Sequence, residues 1–392
     1  MKILIFTQYF WPENFIINDL AIKLTKSYKI DVITGKPNYP KGRFYQGYNF
    51  FNKKKEIYKE VTIYRVPIIP RYESKKTNLL INYLSFIFFS FFKFLSLKKN
   101  QYKHAFLFAP SPLISLISIY LLKKFLKIKI TIWLQDLWPN VIINQINNKF
   151  IYFILKKMSL FILENSDFIF VQNNYYKAYL HQQYKIPLKK MDSLYNWSDY
   201  EGKLRFLNRE NKIKKFIFTG NVGEPQNLDL LVDVFNSQKD NKFILDIYGE
   251  GRYKKNLQSK INKLNNVNIR VFPFLSQLNL VEKIIGYDAA IISLSQEFYH
   301  TIPLKFQFYL SLGMPILGSI DGEVNDLIKQ YYIGFCSKAN SHKDFKNILN
   351  HFDKLDEFQK NTMAKNSYNL YMDKFNKNFN QKKIINYFNN EI

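Results

Sequence analysis

The sequence contains few of the residues that build disulfides and metal sites. Cys336 is the single cysteine among 392 residues, and there are five histidines. One cysteine excludes an internal disulfide and a zinc site made of several thiolates. The histidines show no paired spacing, so we expect the protein to hold neither a metal nor another cofactor.

Acidic residues are scarce as well. The chain has 31 Asp and Glu against 57 Lys and Arg, which gives a net charge of +26. Such an excess attracts nucleic acid, anionic lipid or phosphorylated substrates. Part of it reflects a composition rich in Phe, Tyr, Ile, Asn and Lys, the residue set of AT-rich coding sequence. The basic residues are scattered lysines rather than arginine-rich patches, which leaves a nucleic-acid-binding protein as a remote alternative.

A signal-peptide pattern is missing, and one apolar run is long. Residues 1–10 enter a strand-like pattern without a separate basic region, so we predict a cytoplasmic location. The run LLINYLSFIFFSFFKFLSL (79–97) is long enough to cross a bilayer. Spanning would separate the strands at 2–10 and 104–110, which we expect in one sheet. Two interpretations of this run remain: a helix that packs only in the core, or a core helix that also lies in a membrane interface.

Short apolar runs alternate with helical patterns along the chain, which is typical of parallel sheets covered by helices. The runs lie at 2–10, 30–35, 61–68, 104–111, 129–136 and 167–174, and then at 215–223, 242–251, 268–274, 288–295 and 314–319. We predict two α/β units joined near 200–213 and a helical tail at about 358–390.

Residues 300–328, HTIPLKFQFYLSLGMPILGSIDGEVNDLI, carry the strongest functional pattern. The IPLK turn precedes a helix that ends at Gly313, and a second turn precedes a helix that begins near Glu323. Both helix starts should face the carboxyl ends of parallel strands, where open α/β sheets bind ligands. Their free N–H groups and the charge of Lys305 suit a phosphate. The alternative interpretation is that Lys305 is an ordinary solvated surface lysine.

This segment resembles the donor site of the family 4 retaining glycosyltransferases, and most closely the WbuB-like branch that builds O-antigen, capsule and colanic-acid polysaccharides. The branch pattern I-P-S-K-x-Q-x-Y-x-x-x-G-x-P is matched by Ile302, Pro303, Lys305, Gln307, Tyr309, Gly313 and Pro315, with Leu304 in place of the small polar residue. Four further stretches agree in order: FWPEN (10–14), TGKPNYPKGRFYQGY (34–48), WLQDLWP (133–139) and TGNVGEPQNLD (219–229).

The resemblance implies the GT-B fold, an α/β architecture of two facing Rossmann-like domains with a C-terminal helix that crosses back to the first. Residues 1–205, with about 375–392, would form the acceptor-binding domain. Residues 206–374 would form the nucleotide-sugar-binding domain.

The resemblance also assigns site residues. Gln135, Asp136 and Lys305 would be catalytic. The donor-binding residues would be Gly220, Asn221, Val222, Gly223, Gln226, Tyr248, Gly249, Phe274, His300, Thr301, Ile302, Pro303, Phe308 and Glu323. The acceptor-binding residues would be Trp11, Glu13, Asn14, Asn38, Tyr39, Lys41 and Arg43. The ordinary alternatives are helix capping for Asp136 and a solvated surface loop for residues 34–48.

Four further positions depart from the family pattern. The two glutamates that most members carry fall at His300 and Phe308, and the basic pair that holds the diphosphate falls near Asn221 and Gln226. Lys305 and the loop amides of 220–223 would then carry more of the phosphate charge, and Glu323 or backbone groups would replace the missing ribose carboxylate.

We therefore expect a retaining glycosyltransferase of the hexosyltransferase type. It would move an N-acetylated amino or deoxy-amino sugar from a UDP-sugar to a polyprenyl-diphosphate-linked glycan in bacterial surface polysaccharide synthesis. Such an enzyme would bind peripherally to the inner face of the cytoplasmic membrane. A GT-B epimerase that acts on a free UDP-amino sugar is the alternative, but it would need a set of carboxylates that the sequence does not show.

Overall fold

The computed structural model describes residues 2–72, 76–140, 148–198, 200, 202, 204, 213–238 and 242–391. The chain divides into two compact units. The N-terminal unit comprises Met1–Leu194 and Ile385–Ile392, and the C-terminal unit comprises Tyr195–Ile384. The boundaries expected from the sequence lie near 205 and 375, whereas the structure divides after 194 and after 384.

The N-terminal unit is built on an eight-stranded sheet in the order β3-β4-β2-β1-β5-β6-β7-β8. Its strands are β1 (Lys2–Phe6), β2 (Lys29–Gly35), β3 (Lys55–Tyr58), β4 (Val61–Val66), β5 (His104–Ala109), β6 (Lys129–Leu134), β7 (Phe168–Val171) and β8 (Met191–Ser193). β3 pairs antiparallel with β4, and the other described pairs are parallel. The strand order reverses between β1 and β5, so ligands are expected at the loops after their carboxyl ends.

Five helices cover this sheet within the described residues: α1 (Ile16–Leu24), α2 (Lys76–Leu95), α3 (Ile117–Leu126), α4 (Lys149–Asn165) and α5 (Asn174–Tyr184). α3 packs against both α2 and α4, and all three contribute to one apolar core with residues such as Phe86, Ile119 and Ile162. These helices therefore lie side by side on the sheet.

α2 is the one described helix that is long and apolar enough to cross a membrane, with a mean hydropathy of 1.5 within Thr77–Leu95, and 28% of that window is buried. β4 precedes α2 in the chain and β5 follows it, and both strands belong to the same hydrogen-bonded sheet. A spanning α2 would place the two strands on opposite sides of a bilayer, which a single sheet does not allow.

The C-terminal unit is built on a six-stranded sheet in the order β11-β10-β9-β12-β13-β14, and its described pairs are parallel. Its strands are β9 (Lys214–Asn221), β10 (Phe243–Glu250), β11 (Ile269–Phe272), β12 (Ala289–Ser293), β13 (Ile316–Ser319) and β14 (Gly334–Ser337). Here the order reverses between β9 and β12, which again marks the loops at the carboxyl ends as the ligand-binding edge.

The helices of this unit are α6 (Leu228–Asn236), α7 (Lys254–Leu264), α8 (Gln277–Ile284), α9 (Leu304–Ser311), α10 (Glu323–Gln330), α11 (His342–Asp353) and α12 (Glu357–Leu370). The predicted helical tail is two helices, because a π-helical turn (Tyr371–Phe375) separates α12 from α13 (Lys377–Glu391). The last turns of α13 belong to the N-terminal unit, where the ring of Phe388 lies 5.2 Å from that of His104.

Each apolar run that the sequence predicts as a strand contains one. Continuous burial on both faces explains this agreement, since strands such as β1 and β12 consist almost entirely of apolar residues. The predicted helix end at Gly313 is also confirmed, with a φ of +63° that glycine adopts without strain. β3, β8 and β14 were missed.

Candidate functional site

The candidate donor site lies at the carboxyl ends of β9, β12 and β13. The loop after β13 contacts the loop after β12 closely at Gly322, whose φ is +79°. A Cβ atom at Gly322 would lie 1.8 Å from the carbonyl oxygen of Tyr299, so only glycine fits. This contact holds the loop that leads into α9 against the loop that leads into α10.

Lys305 is the second residue of α9, and its ammonium nitrogen lies 3.4 Å from the ring centroid of Phe218 on β9. The nitrogen is shielded from solvent, although part of the side chain is exposed, and no described residue accepts a hydrogen bond from it. Burial lowers the pKa of Lys305 well below its ordinary value. A cation–π contact compensates only part of the lost hydration. The position therefore favours an incoming anion.

Two residues that follow Lys305 in the branch pattern fix α9 in place. The Gln307 side-chain amide donates to the carbonyl oxygens of Pro303 and Leu304 at 2.9 and 3.0 Å. The Tyr309 hydroxyl accepts from the Thr219 backbone N–H at 2.8 Å and lies 2.9 Å from the Thr219 hydroxyl. The Tyr309 bonds join α9 to the end of β9, and the Gln307 bonds hold the first turn of α9, which contains Lys305.

The loop after β9 is largely bonded to itself. The Gln226 side-chain oxygen accepts from the Gly223 N–H at 3.0 Å and from the Asn221 side-chain amide at 3.1 Å. The Val222 N–H donates to the Glu250 carbonyl at 2.9 Å. The expectation that the amides of this whole loop hold phosphate is therefore wrong for Val222 and Gly223 in this conformation, because both N–H groups already have acceptors.

Gly220 and Gly249 have backbone roles. Gly249 on β10 is the register partner of Gly220 on β9. A Cβ at Gly249 would lie 2.0 Å from the Gly220 carbonyl oxygen, so this position requires glycine. Gly220 has a φ of +110°, and a Cβ there would lie 3.6 Å from the Lys305 ammonium. At Gly220, therefore, the backbone of this loop lies close to Lys305.

The two positions where the family carries glutamate differ in environment. Phe308 is 1% exposed and packs in the apolar core, so its assignment to the donor site is wrong: its ring has no surface left for a ligand. His300 is half-buried against the Tyr299 ring, with 3.6 Å between centroids. Burial lowers the pKa of His300 to about 4, so the imidazole is neutral near pH 7.

Glu323 begins α10, where the helix dipole stabilises its charge. It is 6% exposed and accepts a hydrogen bond from the Tyr195 hydroxyl at 2.5 Å. Tyr248 is nearly buried and stacks on Phe272 with 4.6 Å between centroids. Phe274, beyond the end of β11, is 60% exposed.

The turn that leads into α9 is partly buried. Ile302 is 4% exposed, while Thr301 and Pro303 are half-buried, and Pro303 caps the helix with extended backbone. Proline restricts the backbone conformation of the residue that precedes α9. The N–H groups of the residues after it lie at the helix N-terminus, where they can bind an anion.

The sequence interpretation missed a pair of serines at the same sheet edge. Ser293 and Ser319 are register partners at the ends of β12 and β13. Each is 1% exposed, and within the described residues neither hydroxyl oxygen has a hydrogen-bond partner. A serine that ends an apolar strand carries no distinctive spacing, so only the sheet register brings the two together.

In the N-terminal unit, Gln135 and Asp136 directly follow β6. The Ser111 hydroxyl donates to the Asp136 carboxylate at 2.8 Å, and the Gln172 amide donates to the Gln135 side-chain oxygen at 3.0 Å. Burial raises the pKa of Asp136. The alternative role of Asp136 as a cap of the next helix concerns residues 141–147, which lie outside the described part of the chain.

Glu13 is fully buried and ties two loops together. Its carboxylate accepts from the backbone N–H groups of Asn38 at 2.8 Å and Tyr39 at 2.7 Å. Burial, partly offset by these bonds and by the charge of Arg65, raises the pKa of Glu13 to about 7. With Glu13 at 0% and Asn38 at 1% exposure, the expectation of direct acceptor contact is wrong for both residues; they position the loop.

The remaining acceptor candidates lie nearer the surface. Trp11 is half-buried and stacks on Tyr58 with 4.3 Å between centroids, and Tyr39 is 39% exposed. Asn14, Lys41 and Arg43 are exposed. Lys36 would also suit a pyrophosphate by sequence, but it is buried and donates to the Lys53 carbonyl at 3.1 Å, and burial lowers its pKa to about 8.

Within the described residues, no group of three or more His, Cys, Asp or Glu side chains is arranged to hold a metal ion.

Residues 201–369 match the family described as "Glycosyl transferases group 1". No curated protein sequence matches the chain significantly. Among solved structures, sucrose-phosphate synthase from Thermosynechococcus elongatus is similar with a TM-score of 0.75 at 12% identity, covering 99% of this chain and 98% of that one. The lipopolysaccharide outer core galactosyltransferase WaaB has a TM-score of 0.66 at 14% identity, with both chains fully covered. HepE of Anabaena, solved with UDP-glucose, has a TM-score of 0.65 at 12% identity, again with both chains fully covered.

The two sheets of mostly parallel strands and these structural neighbours define the GT-B fold, as the sequence resemblance implied. With a group 1 domain over residues 201–369, the protein is a glycosyltransferase.

Proposed function

We propose that the protein transfers a sugar from a UDP-sugar to a polyprenyl-diphosphate-linked glycan in bacterial surface polysaccharide synthesis, with retention of the anomeric configuration. The sugar would be an N-acetylated amino or deoxy-amino sugar, as the WbuB-like resemblance implies. The acceptor would be bound at the inner face of the cytoplasmic membrane.

The observation that carries the donor side of this proposal is the buried ammonium of Lys305. It has no acceptor among the described residues, and it belongs to the first turn of α9 at the ligand-binding edge of the sheet. A nucleoside diphosphate would supply the missing negative charge. Structures of HepE with UDP and with UDP-glucose show that a protein of this fold binds such a ligand.

In the proposed reaction, the bond between the anomeric carbon and the diphosphate oxygen breaks. The acceptor hydroxyl forms the new glycosidic bond on the same face of the sugar, and its proton passes to the leaving phosphate. Lys305 would stabilise the charge on the leaving group, and no metal would then be required. Gln135 would bind a sugar hydroxyl, and Asp136, oriented by Ser111, would stabilise positive charge at the anomeric carbon.

The acceptor side of the proposal is supported by exposed apolar side chains on the N-terminal unit, which we call the apolar face. On α2 they recur at spacings of four residues. The apolar face consists of Leu80, Leu84, Phe88 and Phe92 of α2, Leu121 and Phe125 of α3, and Phe161 of α4, each at least 37% exposed. Exposed apolar side chains in such number on neighbouring helices indicate an interaction site.

Lysines border the apolar face. Leu121 and Phe161 line one groove between α3 and α4 together with Lys123, Lys124 and Lys127. Positive charge beside exposed aromatic side chains is the pattern of a protein that lies on anionic lipid. The polyprenyl chain of the acceptor would place the enzyme at such a surface.

A binding screen and a set of transfer assays test the proposed function. A binding screen of nucleotide-sugars should show stabilisation by UDP-sugars, about 2.7 kcal/mol at one hundred times the dissociation constant. Lys305→Ala should lower turnover at least about tenfold, the loss expected from one charge contact. Sugar transfer should need the lipid-linked acceptor and should survive EDTA. UDP release without any acceptor would favour the epimerase, and near wild-type turnover of Lys305→Ala would remove Lys305 from the site.

A further inference from the structure

Arg71 lies in an aromatic cage at the carboxyl edge of the N-terminal sheet. Its guanidinium carbon is 4.9 Å from the ring centroid of Tyr9, 5.2 Å from that of Tyr39 and 5.4 Å from that of Tyr83. We call these four residues the Arg71 cage. Arg71 is 9% exposed, so the cation is largely removed from water.

The guanidinium has few partners for a buried cation. Its Nη2 atom donates to the Tyr83 hydroxyl at 3.4 Å, and its buried Nε atom has no acceptor among the described residues. No carboxylate in the described part of the chain pairs with it, and the hydroxyl of Tyr9 is also buried without a partner. Guanidinium stays charged at any relevant pH, so it cannot relieve burial by losing a proton. Its free N–H groups suit an oxyanion.

The cage is assembled from three neighbouring strands and one helix. Tyr9, Tyr39 and Arg71 follow β1, β2 and β4, which are adjacent in the sheet. Tyr83 belongs to α2. The segment before Arg71 is bound to that helix, because the Ile69 carbonyl accepts from Asn82 at 2.6 Å. The cage is thus fixed on the same helix that carries part of the apolar face.

Two exposed cations flank the loop residue that is hydrogen-bonded next to Arg71. The Gly42 carbonyl accepts from the Tyr72 N–H at 2.6 Å, which joins the tip of the loop at 36–48 to the residue after Arg71. Lys41 and Arg43 flank Gly42 and are exposed. Their charges add to that of Arg71, so this corner suits an anion that carries more than one negative charge.

We propose that the Arg71 cage binds the diphosphate of the lipid-linked acceptor, with Lys41 and Arg43 at its open side and the prenyl chain lying against the exposed stripe of α2. From Leu80 to Phe92 this stripe extends about 18 Å along the helix. This inference rests on the proposed function and assigns its acceptor site. Arg71 would set acceptor affinity and take no part in donor binding.

The test uses full-length protein and three probes: farnesyl diphosphate, which carries both a diphosphate and a short prenyl chain, inorganic pyrophosphate, and farnesol. We expect wild type to bind farnesyl diphosphate at least about tenfold more tightly than either of the other two, because each of those lacks one part of the site. Arg71→Met should lower the affinity for farnesyl diphosphate at least about tenfold and leave UDP affinity unchanged. Lys26→Met, which removes an exposed charge from the loop between α1 and β2, is the matched control and should bind like wild type.

Arg71→Lys is the second variant, and it keeps a cation in the cage in case Arg71→Met fails to fold. A lysine cannot bind a phosphate in the bidentate manner of arginine. In transfer assays its KM for the lipid acceptor should therefore rise while kcat and the UDP-sugar KM stay unchanged.

Equal binding of farnesyl diphosphate and farnesol by wild type would overturn the inference, and so would an unchanged acceptor KM in Arg71→Lys. Either result leaves the proposed function intact if sugar transfer to the lipid acceptor is observed. Equal binding of pyrophosphate and farnesyl diphosphate would also overturn it, because the site would then recognise free phosphate rather than a lipid. Failure of the proposed function shows separately, as loss of UDP binding or of transfer.

Discussion

The ammonium of Lys305 lies over the Phe218 ring with no acceptor among the described residues, and burial lowers its pKa well below the ordinary value. A bound diphosphate would raise that pKa again, because the negative charge favours the protonated form. UDP binding should then take up as much as one proton per molecule at a pH between the lowered and the raised value. UDP affinity should accordingly fall as pH rises through that window.

Calorimetry as a function of pH, in buffers of different ionisation enthalpy, measures this uptake directly at pH values where the terminal phosphate of UDP is already ionised. Lys305→Met should abolish the uptake and weaken UDP binding at least about tenfold. Lys329→Met, at an exposed position on α10, should preserve both and serves as the control. Proton uptake by Lys305→Met equal to that of wild type would assign the proton to another group.

Lys305→Met should also stabilise the folded protein. A lysine whose pKa is lowered on folding binds fewer protons in the folded than in the unfolded state, so its contribution to stability improves as pH rises towards the unfolded pKa. At neutral pH Lys305 is a cost, and methionine should remove about 1–3 kcal/mol of it, the range for a buried donor left unpaired. A higher melting temperature together with lost activity is the expected signature.

The sequence reveals Lys305 because its motif is local, with Pro303, Gln307 and Tyr309 within one turn of it. Phe308 and Glu13 show the limit of such inference. Alignment to a family pattern places Phe308 beside the donor, but the turn of α9 directs it into the core. Glu13 has the charge of a binding residue, and only the fold shows that its carboxylate is already used by the amides of Asn38 and Tyr39.

At the scale of the secondary-structure elements, a strand is easier to predict from the sequence when it is more deeply buried. Strands that are buried on both faces appear as continuous apolar runs. β3, with the sequence Lys-Glu-Ile-Tyr, is an exposed edge strand with no such run, and β8 has only three residues. The orientation of α2 was also beyond the sequence, because its polar Asn82 and Ser85 face inward to satisfy the backbone of Ile69, which lies thirteen and sixteen residues away.

The loop at 36–48 offers an element-scale prediction through two glycines with positive φ. A Cβ at Gly42 (φ +73°) would lie 1.9 Å from the Tyr72 carbonyl oxygen, whereas at Gly47 (φ +81°) it would meet only the flexible end of Lys53 at 3.3 Å. Gly47→Ala therefore carries only the backbone strain, about 1–2 kcal/mol. Gly42→Ala must also move the loop away from the segment that holds Arg71.

Gly42→Ala should raise the KM for the lipid acceptor severalfold with little change in kcat or UDP affinity. Gly47→Ala, the matched control, should leave the acceptor KM near wild type. Steady-state kinetics with the acceptor varied at saturating UDP-sugar separates the two. Identical acceptor KM values would show that the loop tip and the Arg71 segment are not coupled in acceptor binding.

At the scale of the whole molecule, the net charge of +26 and the apolar face predict the same partner. Charge alone fits nucleic acid as well as lipid, but exposed Phe88, Phe92 and Phe125 beside lysines favour a lipid surface, since nucleic acid offers no apolar layer for such residues. Full burial of one phenylalanine side chain is worth about 1.5–3 kcal/mol. Replacing two of them should therefore abolish most of the binding.

We expect wild type to float with vesicles that contain anionic phospholipid and to bind more weakly as salt rises or when the vesicles are neutral. The double variant Phe88→Ser with Phe92→Ser should lower the partition coefficient at least about tenfold. The control replaces Leu278 and Phe358, which are 73% and 79% exposed in the C-terminal unit, with serine and should bind like wild type. If the α2 variant floats as well as wild type but changes from dimer to monomer in solution, the apolar face binds a second copy of the chain instead of a membrane.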